Sequence, residues 1–408
     1  MLSAEPLKIC LLTLEWPPYG CGIGTYMYNL ARGLVASGHE VTVITHAHDP
    51  IDVPGVFIVR VPVPDYKPSF WLRIQKWRME PFHSWSKLAY ESFCSWTKDT
   101  GSFDIVETAE YGAWGRDLVG GATPLIVRCH NPTSLLWQLT ATHGLPFWLK
   151  IQDRRERALA IGADGLACPS NALAAWLNSE WGISSDQVRV IPNPIDDNLF
   201  TCGLPNRGDS SELLFVGRLE ERKGVFDFAN AIAPLFELYP QISARYVGLD
   251  ISVPKELDSE GKAASHFIKA GLEEKFHNRV VFTGHIPVAD IIRYWQGALC
   301  AVVPSRMLES FSYTVIEAMA CGCPVIATRK GGPSEIISDE VDGLLVEPGD
   351  VSGLRTAVKR LVEDPDLRDT LSRNARKTVE TRYGIKVVTT SIVEHYRLVI
   401  KKKTALHH

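Results

Sequence analysis

Several features that would point directly to a functional class are missing from this 408-residue sequence. No stretch approaches the ~18 apolar residues of a membrane-spanning helix. Basic residues are not in excess: 43 Lys and Arg against 47 Asp and Glu give a net charge of −4, which gives no support to nucleic-acid binding. The nine cysteines lack the paired spacing of a zinc site, and their odd, scattered set is typical of a reducing compartment. We therefore expect a cytoplasmic protein, or one bound peripherally to the cytosolic face of a membrane.

The apolar residues occur in short, continuous runs of strand length, six in each half of the chain. Continuous rather than alternating runs indicate parallel strands covered on both faces. The runs are "KICLLTL", "EVTVIT", "VFIVRV", "FDIVET", "PLIVRC" and "DGLACPS", then "ELLFVG", "SARYVG", "RVVFTG", "ALCAVVP", "CPVIAT" and "GLLVEP". Helical patterns separate them, so the sequence predicts an α/β fold with two doubly wound domains. The boundary is expected near residue 200, between "VIPNPIDDNLF" and the polar stretch 201–211.

Ligands of open parallel sheets bind at the carboxyl ends of the strands, so the residues just after each predicted strand are the first candidates for a site. After the first strand come Gly20, Gly22 and Gly24, which form a turn entering a helix from about residue 24 to 37. Glycine lets the backbone approach a phosphate or a sugar closely, although such turns also occur without a ligand. The pattern is not G-x-G-x-x-G, and no acidic residue closes the second strand. Both features argue against a dinucleotide site.

Other candidate residues come after later strands. His130 stands at the end of the fifth run, where it is either structural or catalytic. Arg218 and Lys223 come after the first run of the second half, close to a predicted helix start. Two cations there suit a diphosphate, because a guanidinium binds as a planar fork and an ammonium as a point charge. The alternative is a surface pair matched to Glu220 and Glu221.

The segment 305–327, "SRMLESFSYTVIEAMACGCPVIA", places one carboxylate before a short helix and another inside it. Ser312 is the predicted N-cap, with its hydroxyl accepting from the first amides of the helix. Those amides and the helix dipole form an anion site, with Glu309 in the loop above it and Glu317 one turn inside. The alternative is that Glu317 complements the dipole and Glu309 is solvated.

Taken in order, the glycine-rich turn, the strand-end histidine, "VGRLEERKG", Glu-x7-Glu, "EAMACGCPVIA", "GGPSEII" and "DGLLVEPGD" form a recognisable set. Across residues 8 to 400 the chain resembles the retaining glycosyltransferases of family 4. The resemblance implies the GT-B architecture, with two Rossmann-like domains facing a central cleft. Residues 1–200 would form the acceptor-side domain and 201–385 the nucleotide-sugar domain. A C-terminal helix within 386–408 would return to the first domain.

The resemblance also implies roles for the glutamates and the helix start. Glu317 matches the residue that holds the nucleotide ribose hydroxyls, and Glu309 matches the one that contacts hydroxyls of the transferred sugar. The backbone amides of Ser312, Tyr313 and Thr314 match the turn that binds the donor phosphates.

The remaining site residues come from three other motifs. Arg218 and Lys223 match the pair that neutralises the leaving diphosphate, and His130 matches the histidine beside the donor sugar. Gly22 and Gly24 match the loop that closes on phosphate and acceptor. Because cations and amides replace a metal ion, we expect no cofactor and no metal, with the nucleotide sugar as co-substrate.

The chain departs from the family pattern at Cys21 and Ser312, where glycine is usual. These departures keep two alternatives to a hexosyltransferase open: a GT-B nucleotide-sugar epimerase, and a catalytically weak nucleotide-sugar-binding protein. The residues also leave open whether the donor is a UDP- or a GDP-sugar.

The acceptor is expected on the first domain, where "FDIVETAEYGAWG" offers Glu107, Glu110, Tyr111 and Trp114 at a strand end. Glu110 and Tyr111 are the leading candidates, although these side chains could equally be packing. The acceptor is a sugar, a lipid-linked glycan or a small molecule.

Residues 67–98 hold four tryptophans and six Lys or Arg. They form apolar stripes at helical spacing: Trp71, Ile74 and Trp77, then Phe82, Trp85, Leu88, Ala89, Ser92, Phe93 and Trp96. Such a stripe suits contact with an anionic membrane surface, and it equally suits packing against its own domain.

Overall fold

The structure of the chain is a computed structural model. It describes residues 5–18, 21–46, 49–63, 80–138, 144–203, 210–251 and 262–406, with the backbone alone for 80–84 and 406. Backbone contacts divide the chain into two compact units. Unit 1 comprises Met1–Pro194 with Ile385–His408, and unit 2 comprises Ile195–Gly384.

Unit 1 is built on a parallel sheet of seven strands in the order β3-β2-β1-β4-β5-β6-β7. The strands are β1 Lys8–Leu12, β2 Glu40–His46, β3 Val56–Val61, β4 Ile105–Ala109, β5 Leu125–Arg128, β6 Gly165–Cys168 and β7 Val188–Val190. The helices between them are α1 Gly22–Ala36, α2 Glu80–Thr100, α3 Thr133–Gln138, α4 Phe147–Gly162 and α5 Asn171–Trp181. Every residue of the central strand β4 is buried, as the continuous apolar runs predict.

Unit 2 repeats the arrangement with a parallel sheet of six strands in the order β10-β9-β8-β11-β12-β13. The strands are β8 Glu212–Val216, β9 Ser243–Val247, β10 Val280–Gly284, β11 Cys300–Val303, β12 Val325–Thr328 and β13 Leu344–Val346. The helices are α6 Val225–Leu238, α7 Ala264–Ala270, α8 Val288–Gly297, α9 Tyr313–Ala320, α10 Pro333–Ile336, α11 Val351–Glu363 and α12 Pro365–Thr378. In both units the first strand lies inside the sheet and the strand order reverses beside it, which is the doubly wound topology that the sequence predicts.

The last helix, α13 Ile385–Leu406, belongs to unit 1. The Tyr396 hydroxyl donates to Glu107 of β4 at 2.7 Å, and the Lys403 ammonium lies 2.7 Å from an Asp164 oxygen. Where α13 crosses α1, a β-carbon on Gly33 would stand 2.1 Å from the hydroxyl of Thr389. The GT-B fold with a returning C-terminal helix is therefore confirmed.

The observed boundaries are 194/195 and 384/385, whereas the predicted ones are 200/201 and 385/386. The first differs because residues 195–200 are bonded into unit 2. The Ile195 amide donates to the Tyr383 carbonyl at 2.9 Å, and the Phe200 carbonyl accepts from the Arg376 guanidinium at 2.5 Å.

The described side chains of the aromatic stripe within residues 80–98 are buried or half-buried. On α2, Trp85, Ala89 and Phe93 are buried, and the Trp85 indole donates to the Val61 carbonyl at 3.1 Å. These side chains cannot face a membrane, so packing is the correct interpretation for this part. The other stripe, within 67–79, lies outside the described residues. None of the described helices combines the length and the apolarity needed to cross a membrane.

Candidate active site

Glu309 is the centre of the polar cluster in unit 2. Its carboxylate is buried, and Oε1 lies 2.7 Å from the Lys223 ammonium and 2.6 Å from the Ser305 hydroxyl. The loop that carries it is fixed by glycine. Gly331 has φ of +68°, and a β-carbon there would stand 2.4 Å from the Glu309 carbonyl oxygen. The "GGP" motif is thus required for a close backbone approach.

The surroundings of Glu309 keep it ionised. Burial alone would raise its pKa, but the Lys223 ammonium and the hydroxyls of Ser305 and Ser312 outweigh burial and lower it below the usual value. Lys223 is therefore paired with Glu309, whereas the surface-pair alternative matched the two cations to Glu220 and Glu221. The predicted solvation of Glu309 in the alternative interpretation is wrong.

Ser312 is the N-cap residue of α9, as predicted, but its hydroxyl makes no capping hydrogen bond to the amides of the helix. It binds Glu309 instead. The Ser312 hydroxyl donates to the carboxylate three residues earlier, and in this position its oxygen accepts no hydrogen bond from the helix amides. Tyr313 and Thr314 form the first residues of α9 and are half-buried.

Glu317 lies on the same helix and is half-buried. The Trp295 indole N–H lies beside its carboxylate without reaching normal hydrogen-bond geometry. Burial raises the pKa of Glu317 to about 8, and Trp295 opposes this only in part. The group is mostly protonated at neutral pH, whereas dipole complementation would require a carboxylate.

Arg218 is the second residue after the end of β8, and 52% of its side chain is exposed. Its guanidinium lies 2.8 Å from Glu220, which also binds Arg222. Arg218 is therefore paired with Glu220, one of the two partners in the surface-pair alternative.

Arg306 was not among the sequence candidates, and its guanidinium Nε donates to Asp227 at 2.6 Å.

In unit 1 the amino terminus of α1 is bound to a carboxylate of the chain. The helix begins at Gly22, two residues earlier than predicted, and Gly24 lies in its first turn. The amides of Cys21 and Gly24 donate to Glu15 Oε2 at 2.8 and 3.4 Å. Glu15 thus accepts from the Gly24 amide, which belongs to one of the two glycines that the family resemblance matches to the phosphate loop. Residues 19–20 of the predicted turn lie outside the described part.

His130 stands after β5 and is buried with its ring against Tyr26, at 4.8 Å between ring centroids. Burial, and then the charge of Arg128, lower the pKa of His130 well below its usual value, so the imidazole is neutral. Among the described residues its Nε2 has no hydrogen-bond partner.

Glu110 requires a correction, because its side chain is fully buried and unavailable to an acceptor at the surface. Its Oε1 accepts from the amides of His130 and Asn131 at 2.8 and 2.7 Å. Burial, together with the charge of Glu156, raises the pKa of Glu110 to about 8. Glu110 therefore acts inside the unit and not as a sugar contact.

Of the other acceptor candidates, one stays a candidate and two are core side chains. Tyr111 is half-buried and stays a candidate; burial, then the charge of Glu156, raise its pKa. Glu107 and Trp114 are core side chains, and Glu107 accepts from the hydroxyls of Tyr26 and Tyr396.

Glu156 on α4 was not a sequence candidate either, because it reads as one charge in "QDRRERAL". It is fully buried and accepts from Thr133, Gly112 and Gln152. The signal was its spacing from Leu149, Gln152 and Leu159, which places it on the buried face of the helix.

No group of three or more His, Cys, Asp or Glu side chains in the described ranges is arranged to hold a metal ion. That the reaction needs no metal and no cofactor stays a prediction.

Comparison with known families decides what this geometry belongs to. A model described as Glycosyltransferase Family 4 matches residues 20–199, and one described as Glycosyl transferases group 1 matches residues 203–378. The chain belongs to the GT-B glycosyltransferases of family 4 type. The two matched ranges meet near the boundary between unit 1 and unit 2, and the first extends to residue 199, past the boundary at 194/195.

Relatives of this glycosyltransferase match along nearly their whole length. It is 24% identical to a glycogen synthase of Mycobacterium tuberculosis, over 96% of this chain and 94% of the relative. It is 26% identical to a D-inositol 3-phosphate glycosyltransferase of Paenarthrobacter aurescens, over 92% of each. Among solved structures, sucrose-phosphate synthase from Thermosynechococcus elongatus matches with a TM-score of 0.77 and 25% identity, over 97% of this chain and 99% of that one.

Proposed function

We propose that this glycosyltransferase moves a hexose from a nucleoside-diphosphate sugar to a hydroxyl group, with retention of the anomeric configuration. The observation that carries the proposal is the Lys223–Glu309 pair beside the start of α9. It offers a buried carboxylate for sugar hydroxyls and an ammonium for a phosphate, after the adjacent strands β8 and β11. Arg218, from the same strand end, supplies a second and more exposed cation.

The proposed chemistry assigns each group a step. The bond between the sugar C1 and the β-phosphate oxygen breaks, and the acceptor oxygen forms a new bond to C1. The acceptor proton passes to the leaving diphosphate. Charge builds on that diphosphate, so Arg218, Lys223 and the amides of Tyr313 and Thr314 act mainly in the transition state.

The remaining residues bind and orient. Glu317 receives the ribose hydroxyls, Glu309 receives hydroxyls of the transferred sugar, and neutral His130 lies beside that sugar. Gly22 and Gly24 approach the donor phosphate and the acceptor. Phosphate binding at α1 would have to displace the Glu15 carboxylate from the amides of Cys21 and Gly24, which costs binding free energy.

The names of the relatives suggest which classes of donor and acceptor to test first. A solved structure of the Anabaena protein HepE, with a TM-score of 0.69 and 19% identity, contains UDP-glucose. The relatives include a glycogen synthase and a D-inositol 3-phosphate glycosyltransferase, whose names imply a glucan and a phosphorylated cyclitol as acceptors. We therefore place UDP-sugars first, GDP-sugars second, and a carbohydrate hydroxyl ahead of other acceptors.

A donor screen by thermal unfolding, followed by product analysis, tests the proposal. A nucleotide sugar at ~100 times its dissociation constant should stabilise the fold by about 2.7 kcal/mol. With an acceptor panel, a new glycoside supports transfer, an epimerised donor supports the epimerase alternative, and binding without turnover supports a binding protein. The absence of both binding and turnover across the panel would contradict all three.

Peripheral membrane contact stays a prediction, and we now propose α4 instead of residues 67–98 as the surface that makes it. Phe147 and Ile161 on α4 are 73% and 60% exposed. Lys150, Arg154 and Arg157 are exposed on the same side of this helix. A stripe of three cations with an exposed apolar side chain at each end suits an anionic bilayer, and it would bring unit 1 to a lipid-linked acceptor.

A further inference from the structure

Two loops at the carboxyl edge of the unit 1 sheet are fastened together by buried carboxylates. One loop comes after β4 and carries Tyr111; the other comes after β5 and carries His130. Glu110, at the end of β4, binds the second loop through two successive amides, those of His130 and Asn131, at 2.8 and 2.7 Å.

Glu156 reaches the same loops from α4 and receives four hydrogen bonds. Its Oε2 accepts from the Thr133 amide at 2.8 Å. Its Oε1 accepts from the Thr133 hydroxyl at 2.7 Å, the Gly112 amide at 3.0 Å and the Gln152 amide group at 2.9 Å. Because Gly112 belongs to the β4 loop and Thr133 to the β5 loop, one carboxylate joins both.

Burial of these two carboxyl groups lowers the stability of the fold. Glu110 and Glu156 are both fully buried, and burial raises their pKa values to about 8 and about 7. Within the described residues, Glu110 Oε2 and His130 Nε2 have no hydrogen-bond partner. Packing alone would be served better by apolar side chains, since buried polar atoms without partners cost stability. Such costs are typical of places where a backbone must be held for function.

We propose that Glu110 and Glu156 are positioning residues for the transfer step, holding the loops of His130 and Tyr111 in one fixed arrangement. They touch no substrate. They act through the backbone of 130–133 and through Gly112. This inference rests on the proposed function, and it adds two residues that neither the sequence motifs nor the family resemblance assigns to this role.

The hydrogen bonds of the two carboxylates predict different tolerance to glutamine. In Glu110→Gln the side-chain oxygen can replace Oε1 and keep both amide bonds, while the new NH2 group takes the place of the partnerless Oε2. In Glu156→Gln both original oxygens already accept, so the NH2 group must face the Thr133 N–H. Two donors then meet, and the β5 loop loses a bond.

The experiment compares Glu110→Gln, Glu110→Ala and Glu156→Gln with wild type, and with Glu40→Gln, which removes an exposed carboxylate from the same unit. We expect Glu110→Gln and Glu40→Gln to keep kcat within about threefold. Glu110→Ala and Glu156→Gln should lose kcat on the order of 100-fold, as expected for misplaced groups, with the donor KM nearly unchanged.

Two further measurements separate positioning from misfolding. UDP or GDP affinity should stay within twofold in every variant, because the residues proposed to hold the ribose and to neutralise the diphosphate, Glu317, Arg218 and Lys223, lie in unit 2. Amide hydrogen exchange at 130, 131 and 133 should accelerate in Glu110→Ala and Glu156→Gln only. Equal kcat in the two glutamine variants, or a loss of kcat that matches a loss of folded protein, overturns the inference. A wild-type chain that binds nucleotide sugar but transfers nothing overturns the proposed function, and the positioning role with it.

Discussion

Nucleotide affinity should rise with pH because Glu317 must lose a proton to accept from a ribose. Burial raises its pKa to about 8, so the free protein holds the acid form at neutral pH. If only the carboxylate binds two hydroxyl donors, the competent fraction is about 1% at pH 6 and about half at pH 8. Apparent affinity then increases about 50-fold across that interval, since it scales with the competent fraction.

Titration calorimetry at pH 6, 7 and 8 measures this with whichever of UDP, GDP or ADP stabilises the protein. Near pH 7, binding should release close to one proton, seen as a dependence of the heat on the buffer's ionisation enthalpy. The nucleotide's own phosphate also titrates near pH ~6, so Glu317→Gln is the matched control. It keeps the phosphate titration and removes the carboxyl. Parallel pH curves for the variant and wild type would refute the assignment of Glu317 to the ribose.

Four other outcomes are expected. Glu317 retains a proton in the folded chain that the unfolded chain releases, so between pH 5 and 7 it lowers the stability as pH rises; in urea unfolding, the slope of unfolding free energy against pH should be more positive in Glu317→Gln than in wild type by up to about 1.4 kcal/mol per pH unit, and an unchanged slope would contradict the raised pKa. Arg218→Ala should lose about 2–4 kcal/mol of transition-state stabilisation with little change in melting temperature, and activity within twofold of wild type would remove Arg218 from the diphosphate site. An α-linked donor should give an α-linked product by NMR, and a β-linked product would exclude retention. If unit 1 meets anionic vesicles, Phe147→Ser should reduce flotation at low salt, whereas a wild-type chain that never floats makes a soluble acceptor the better choice.

The elements could be predicted because each is encoded locally. All twelve predicted strands are present, and their apolar runs are long enough to stand out. The one described strand that was not predicted is β7 Val188–Val190, because it has only three residues and its middle side chain, Arg189, is exposed. The start of α1 was placed two residues late because Gly22 reads as part of the turn, although the amides of Cys21 and Gly24 on either side of it donate to Glu15.

Contacts between distant residues could not be predicted in this way. The strand-end rule located Glu110 correctly, but its burial depends on Glu156 and the β5 loop, which lie far along the chain. Likewise, Ser312 has the right residue type for a cap, and the Glu309 carboxylate decides where its hydroxyl points. Periodicity placed Trp85 on an apolar stripe without saying which surface covers that stripe.

The position of α13 in unit 1 has a consequence for synthesis. Tyr396 completes the hydrogen bonding of Glu107, and Thr389 fills the space over Gly33, yet both are translated after all of unit 2. While a ribosome makes residues 195–384, at roughly 5–20 residues per second, the nascent unit 1 has an uncovered α1 and a carboxylate in its core without one of its two hydroxyl partners. Unit 1 therefore cannot complete its fold until this last helix is made, although it begins earlier in the chain. During that interval the unfinished unit is the part of the nascent chain that most needs a chaperone.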